Sequence, residues 1–120
     1  MNNNLLLKSL KELETALASQ TIDDIVFDAI CKRFEVCFEY VWKFFKQTAT
    51  SAGVEVYSPK DAIKEAVKMK LINDLDLWLD FLQERNLSVH NYYSGDPTET
   101  LKKIRAFAKA VRKIKDDPHH

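Results

Sequence analysis

Glycine and proline are scarce in this chain: its 120 residues include two glycines and three prolines. A sheet-rich domain needs a turn after each short strand, and such turns are usually built from glycine and proline. The scarcity therefore favours a few long helices. The sequence also lacks an uninterrupted apolar run of about 18 residues and a recognisable signal peptide, so we expect no membrane span and a cytoplasmic location.

The chain also has no formal net charge and only two cysteines. Eighteen basic and eighteen acidic residues give a formal net charge of zero, so binding of nucleic acid or an anionic membrane would require a local patch. Cys31 and Cys37 are six residues apart in one predicted helix, which is about 9 Å of rise and too far for a disulfide. Free buried thiols are typical of a reducing compartment.

Several catalytic signatures are missing too. We find no glycine-rich phosphate loop, no Gly-x-Ser-x-Gly motif, no arrangement of cysteine and histidine for nucleophilic catalysis, and no histidine or cysteine at metal-ligand spacing. The paired aspartates and Gly-Ser element of a nucleotidyltransferase catalytic domain are also absent. We therefore expect no cofactor, no metal site and no nucleotidyltransferase activity in this chain itself.

What the sequence does contain is apolar residues at helical spacing, within an ordinary globular composition of 46% hydrophobic and 30% charged residues. The predicted helices cover residues 4–18, 22–50, 59–71, 74–82 and 97–115. We predict one all-α domain over residues 1–120: an antiparallel four-helix-type bundle with one additional short helix, and a frayed tail at 116–120. Its aromatic core residues are expected to be Phe27, Phe34, Phe38, Trp42, Phe45 and Trp78.

Capping residues mark the helix ends. Gly53 is suited to end the long second helix, because glycine adopts the left-handed conformation that follows many helices. Pro59 and Pro97 each stand where a helix can begin, since proline is tolerated in the first turn. The expected N-caps are Thr21 (with Asp24 completing a capping box), Ser58, Asn73 and Asp96.

Arg85 and His90 lie in a polar stretch between the last two predicted helices. Five residues of straight helix turn the chain by about 500°, so the two side chains would point about 140° apart. They can converge only if the helix bends or ends between them, which the Asn86 and Ser88 region makes plausible, or if two subunits meet. A histidine can move a proton at a ribose 2′-hydroxyl, and an arginine can neutralise phosphorane-like charge. The pair is either a metal-free ribonuclease site or two surface residues at a helix end.

Other charged residues have similar alternatives. The last helix carries a basic stripe that either holds a phosphate backbone or is a solvated face: Lys102, Arg105, Lys109 and Arg112. An acidic row either holds a metal ion or faces solvent or a basic helix: Asp76, Asp80 and Glu84. Arg33 falls on the apolar side of the long helix, where a charge needs a partner, either in a structural pair or in a site. Glu35 and Glu39 are assigned to the solvated face of that helix.

Three blocks in order resemble the nucleotidyltransferase substrate-binding protein family: "RFEVCFEYVWKFFK" (33–46), "SPKDAIKEAVKMKLI" (58–72) and "WLDFLQERNLSVHNY" (78–92). The resemblance covers nearly the whole chain. It implies a five-helix bundle, usually a homodimer, and a separate minimal nucleotidyltransferase that carries the catalytic carboxylates. The family belongs to the HEPN group (higher eukaryote and prokaryote nucleotide-binding).

The resemblance also implies roles for individual residues. Members of the HEPN group with an R-x4-H motif are often metal-independent ribonuclease toxins, and this motif corresponds to Arg85, Asn86 as a supporting polar residue, and His90. In toxin members the partner transfers AMP to a tyrosine at the position of Tyr92, beside which Tyr93 is the alternative acceptor. Three functions stay open: a partner subunit that binds nucleotide or nucleic acid, an endoribonuclease, and a structural adaptor. Only the second would make the chain an enzyme.

Overall fold

The computed structural model describes residues 3–89 and 97–114, and this part of the chain forms five helices and no strand. The helices are α1 (Asn4–Leu17), α2 (Asp24–Ser51), α3 (Pro59–Lys68), α4 (Leu75–Val89) and α5 (Pro97–Arg112). The all-α prediction and the number of helices are confirmed. None of the helices in the described ranges is long and apolar enough to cross a membrane.

Helix α2 is the spine of the fold, since it contacts each of the other four helices. Its 28 residues correspond to about 42 Å of rise. Each helix packs on the next one along the chain, and α5 returns to pack on α1, so a single apolar core lies between them. Cys31 and Cys37 are buried in that core as free thiols, and burial raises the pKa of the Cys37 thiol to about 11.

Phe107 lies at the centre of the core, although it was absent from the predicted aromatic set. Its ring centroid is 5.0 Å from that of Phe34, 5.4 Å from Phe81 and 5.9 Å from Trp78, with the rings steeply inclined to one another. Edge-to-face contacts of this kind add to the stabilisation from burial itself. Phe107 thereby joins α5 to α2 and α4, which fixes the position of α4 in the bundle.

Two of the predicted N-caps are wrong by one or two residues. Asp23, not Thr21, caps α2, because its Oδ1 accepts a hydrogen bond of 2.9 Å from the Val26 amide. At the start of α4 the Oδ1 of Asp74, not Asn73, accepts from the Leu77 amide at 3.0 Å. A carboxylate also interacts more favourably with a helix N-terminus than a neutral side chain does, which explains both shifts.

Of the other two predicted N-caps, one is confirmed and one lies outside the described residues. Ser58 caps α3 as predicted, with its Oγ accepting from the Asp61 amide at 3.1 Å and Pro59 in the first turn. Pro97 begins α5 as predicted, while Asp96 lies outside the described residues.

Helices α2 and α3 end in the same way but with different residues. After α2 the Val54 amide donates to the Ala49 carbonyl at 2.9 Å, and Gly53 adopts a φ of 83° as predicted. After α3 the Leu71 amide donates to the Ala66 carbonyl at 3.0 Å, and the left-handed position is taken by Lys70, with a φ of 63°. A residue with a Cβ atom costs about 1–2 kcal/mol in this conformation.

Candidate functional site

Helix α4 extends well beyond its predicted end at Leu82 and continues through Arg85 to Val89. The predicted early end near Asn86 and Ser88 is therefore wrong, and Arg85 lies within a continuous helix that reaches Val89. His90 itself, with Tyr92 and Tyr93, lies outside the described residues. The described part of the candidate site is thus the last two turns of α4 and the α2 surface beneath them.

Arg85 lies half-buried in the groove between α4 and α2. Its guanidinium carbon is 5.4 Å from the centroid of the Phe38 ring, which is the distance expected for a cation–π contact. The buried Nε of Arg85 has no hydrogen-bond partner among the described residues. Burying a donor without a partner costs free energy. The described part of the protein leaves the Arg85 Nε unsatisfied at this cost.

Glu39 on α2 is the acidic residue whose pKa responds to Arg85. Burial alone would raise the pKa of this carboxyl group, but three interactions lower it below its usual value. They are the hydrogen bond that Trp42 Nε1 donates at 3.0 Å, the contact with Lys43 Nζ at 3.3 Å, and the positive charge of Arg85. Glu39 therefore stays ionised and partly balances the arginine without ligating it among the contacts of the described residues.

A second acid of α2 holds the end of α4 in place. The Ser88 hydroxyl donates a hydrogen bond of 2.7 Å to Oε2 of Glu35, and the Ser88 side chain is buried. The assignment of Glu35 to the solvated face is wrong, because it is half-buried and accepts a hydrogen bond from α4, whereas the Glu39 side chain is 43% exposed and contacts Lys43 on that face. No pattern within either helix points to this contact, because Ser88 and Glu35 are 53 positions apart in sequence.

The resulting site has one cation and two anions packed between two helices. Arg85 can donate hydrogen bonds to a phosphate or a carboxylate, whereas Glu35 and Glu39 contribute the two negative charges near it. Asn86 is exposed at the edge of the same turn, where its amide is accessible to a ligand or partner.

Two members of the acidic row of α4, Asp80 and Glu84, pair with α5, as one of the predicted alternatives proposed, whereas Asp76 is exposed. Lys103 Nζ lies 3.7 Å from Asp80 Oδ1 and 3.6 Å from Glu84 Oε2, and Glu84 is only 5% exposed. These ion pairs attach α5 to α4 below the candidate site. The described residues contain no cluster of three or more histidine, cysteine, aspartate or glutamate side chains that could hold a metal ion.

The basic stripe of α5 is exposed along its length, but its members differ in their partners. Arg112 forms a two-point contact with the Glu14 carboxylate on α1, with distances of 2.9 Å from Nε and 2.5 Å from Nη2. That hydrogen bonding raises the pKa of Arg112 and lowers the pKa of Glu14. Lys102, Arg105 and Lys109 form no ion pair with any residue that the structure describes.

Arg33 has a structural partner on α1. Its Nη1 donates a hydrogen bond of 2.8 Å to the Glu12 carbonyl, which connects α2 to α1. This geometry matches the structural alternative rather than the one in which Arg33 contributes to a site, because the guanidinium is engaged on the α1 side of α2.

Comparison with known proteins gives two positive findings. The family model described as "Nucleotidyltransferase substrate binding protein like" matches residues 2–118. A crystal structure of a protein from Thermus thermophilus superimposes with a TM-score of 0.81 at 26% sequence identity, over 90% of this chain and 93% of that one. No curated protein matches the chain.

Proposed function

The chain belongs to the nucleotidyltransferase substrate-binding protein family, and from this premise we propose that it is the partner subunit of a separate minimal nucleotidyltransferase. In this proposal it binds a nucleotide or nucleic acid through the segment that begins at Arg85. The observation that carries the proposal is Arg85, a half-buried cation held over the Phe38 ring near the end of α4.

A division of labour between two chains agrees with the residues present. The sequence has no paired aspartates with a Gly-Ser element, and the acids of α4 are engaged with Lys103 rather than clustered around a metal site in the described ranges. The catalytic carboxylates must then come from the partner. What this chain supplies is the guanidinium group of Arg85, which can donate hydrogen bonds to a phosphate or to an acidic group of the partner.

A second candidate function is favoured by the same arginine. In a ribonuclease, His90 would accept the proton from a ribose 2′-hydroxyl, whose oxygen attacks the adjacent phosphorus and displaces the 5′-oxygen. The leaving 5′-oxygen takes its proton from solvent water, and Arg85 neutralises the charge that develops on the phosphorane. In this candidate function, Asn86, which is exposed next to Arg85, supports the contact with the phosphate. Such a reaction requires no metal ion.

In that second candidate, Tyr92 is the point of control. The partner would transfer AMP from ATP to the Tyr92 oxygen, forming a phosphodiester and releasing pyrophosphate, and Tyr93 is the alternative acceptor. The new phosphate group beside His90 would exclude RNA by charge repulsion and by its size.

The partner-subunit proposal is tested by co-expression with the minimal nucleotidyltransferase of the same genome. We expect the two chains to co-purify, and Arg85→Met to weaken the complex or its binding of ATP. Arg33→Met, which removes an arginine from the α1 side of α2, is the matched control and should not change either measurement. Chains that elute separately at micromolar concentration would contradict the proposal.

The ribonuclease candidate has its own test. Purified protein in excess chelator should cut single-stranded RNA, and His90→Ala should abolish the cleavage; equal cleavage by both proteins would point to a contaminant.

Mass spectrometry after incubation with the partner and ATP should locate AMP on Tyr92. Labelling that survives Tyr92→Phe would assign the AMP to another residue, with Tyr93 the first to check. Light scattering tests the proposed homodimer against the 13.9 kDa of one chain.

A further inference from the structure

A cavity of about 830 Å³ lies between the turn that joins α3 to α4 and the C-terminal half of α5. Its size is within the range of sites that bind small molecules. The apolar part of its lining is formed by Leu71, Trp78, Ala106 and Ala110, among others. Trp78 precedes Arg85 by seven residues of α4, or about 10 Å of rise, so the cavity is separate from the candidate site at the other end of that helix.

The charged residues around this cavity are mostly basic. Lys70, Lys109 and Lys113 line it together with one carboxylate, Asp74, so the lining has a net charge of plus two from three lysines and one aspartate. All three lysines are exposed and form no ion pair with another described residue. One Asp74 oxygen already accepts the Leu77 amide at 3.0 Å. A local excess of positive charge in a neutral chain favours an anionic occupant.

Lys70 supplies an independent observation. It occupies the left-handed position after α3 with a φ of 63°, where glycine would be less strained and where Gly53 performs the same task after α2. Backbone strain of this kind is concentrated at active sites and ligand-binding positions. Lys70 is among the residues that line the cavity, so this strained position contributes the one lining lysine that does not come from α5.

We propose that this cavity binds a nucleoside phosphate, with the base against the apolar lining beside Trp78 and the phosphates contacting Lys70, Lys109 and Lys113. The cavity accepts a ligand with a planar apolar part and a compact negative charge, which distinguishes it from a surface that follows a nucleic-acid backbone. The choice of a nucleoside as the apolar part rests on the proposed function; the anionic group and the apolar part follow from the lining alone.

The two tryptophans allow a direct test by ¹H–¹⁵N NMR of the full chain, because each indole N–H gives one signal. Trp78 lines the cavity and Trp42 does not; Trp42→Phe assigns the two signals. Titration with metal-free ATP or AMP should move the Trp78 signal to saturation, and should do so in Arg85→Met as well, whereas adenosine and inorganic phosphate should bind much more weakly. An unmoved Trp78 signal, or a shift with a ten-nucleotide RNA but not with ATP, would overturn the proposal.

Substitution of the lysines supplies the second test. Lys70→Gly removes one ammonium group and relieves the backbone strain, so ATP should bind about tenfold more weakly while the melting temperature stays the same or rises. Lys64→Gln removes an exposed charge of α3 outside the cavity and should leave ATP binding unchanged. Lys109→Gln repeats the test without altering the turn. Wild-type affinity in both cavity variants would refute the assignment.

The same variants separate this proposal from the preceding one. Binding of ATP that moves the Trp78 signal in a chain that does not form a complex with any nucleotidyltransferase would leave the cavity assignment intact and contradict the partner-subunit proposal. Complex formation without a Trp78 response to ATP would support the partner-subunit proposal and contradict the cavity assignment.

Discussion

Ser88 and Glu35 join two helices at the end of the molecule where the candidate site begins. The buried hydroxyl of Ser88 on α4 donates to a Glu35 carboxylate oxygen on α2 across 2.7 Å, although the two residues are 53 positions apart in sequence. Arg85 lies three residues before Ser88, on the turn that this bond holds against Phe38. The bond therefore helps to hold the turn of α4 that carries Arg85.

Ser88→Ala and Glu35→Ala are expected to be coupled in a double-mutant cycle. A hydrogen bond to a charged group contributes about 1.5–3 kcal/mol, and we expect a coupling energy near the lower limit because Glu35 is only half-buried. Urea denaturation of the four proteins measures it. The control cycle pairs Glu35→Ala with Thr15→Ala, whose hydroxyl contacts the Lys11 carbonyl on α1, and should show no coupling. A coupling of zero in the first cycle would mean that the bond does not position α4.

Arg85→Met should not destabilise the protein. Methionine keeps an apolar stem over Phe38 and removes a buried donor that lacks a described partner. The lost cation–π contact is worth about 0.5–1 kcal/mol, whereas relieving the unpaired donor returns about 1–3 kcal/mol. The free energy of unfolding should therefore stay constant or increase by about 1 kcal/mol.

The comparison for this prediction is Arg33→Met. That substitution breaks the 2.8 Å hydrogen bond to the Glu12 carbonyl and should lower the free energy of unfolding by about 1 kcal/mol. Urea denaturation of the two variants gives both values. An Arg85→Met protein that is less stable than Arg33→Met would show that Arg85 has a structural role, which would weaken both functional proposals.

Phe107→Ala should be among the most destabilising substitutions in the chain. The side chain is fully buried and contacts rings from α2 and α4, so its loss leaves a cavity between three helices. Truncations of this kind cost about 3–5 kcal/mol. Phe44→Ala, at a half-buried ring of α2, should cost clearly less, and the midpoints of urea denaturation at equal slope measure the difference. Similar losses in both variants would contradict the central position of Phe107.

Acid should weaken the connection between α1 and α5. Hydrogen bonding from Arg112 lowers the pKa of Glu14 in the folded state, so the folded protein binds fewer protons here than the unfolded chain. This contribution is fully present above the unfolded pKa of glutamate and is lost as pH falls through the lowered folded value. Because the pair is exposed, the effect is small, of the order of 1 kcal/mol or less.

Arg112→Gln tests this dependence. The variant should be slightly less stable than the wild type at pH 7 and equally stable at a pH well below the Glu14 pKa. Arg105→Gln, on the same helix and without an ion pair among the described residues, should change stability equally little at both values. If the Arg112→Gln difference persists undiminished in acid, the pKa of Glu14 is not lowered by this contact.

The fold was largely predictable because its signals are local. Apolar spacing located all five helices, Ser58 with Pro59 located the start of α3, and Gly53 located the end of α2. Each signal depends on residues within about one helical turn of each other. Capping at α2 and α4 was predicted one or two residues away from its actual position, because candidate polar residues stand close together at each start and only the backbone geometry distinguishes them.

The end of α4 was not predictable in this way. Asn86 and Ser88 have low helix propensity, and a local prediction stops the helix before them. Packing against α2 reverses that preference, because Ser88 hydrogen-bonds Glu35 and Arg85 lies over Phe38. The partners are about fifty residues away in sequence, and no pattern within α4 points to them.

The sequence by itself determined the helical class, the order and approximate limits of the helices, the free thiols and the residues of the R-x4-H motif, since all of these follow from residue type and short-range spacing. Only the tertiary structure decided which charges are paired. It engaged Arg33 and Arg112 with α1, buried Glu84 against Lys103, left the Arg85 donor without a described partner, and brought Lys70 to the cavity that Lys109 and Lys113 also line. The physical reason is that the energy of a charge depends on its neighbours in space, and those neighbours are chosen by helix packing rather than by proximity along the chain.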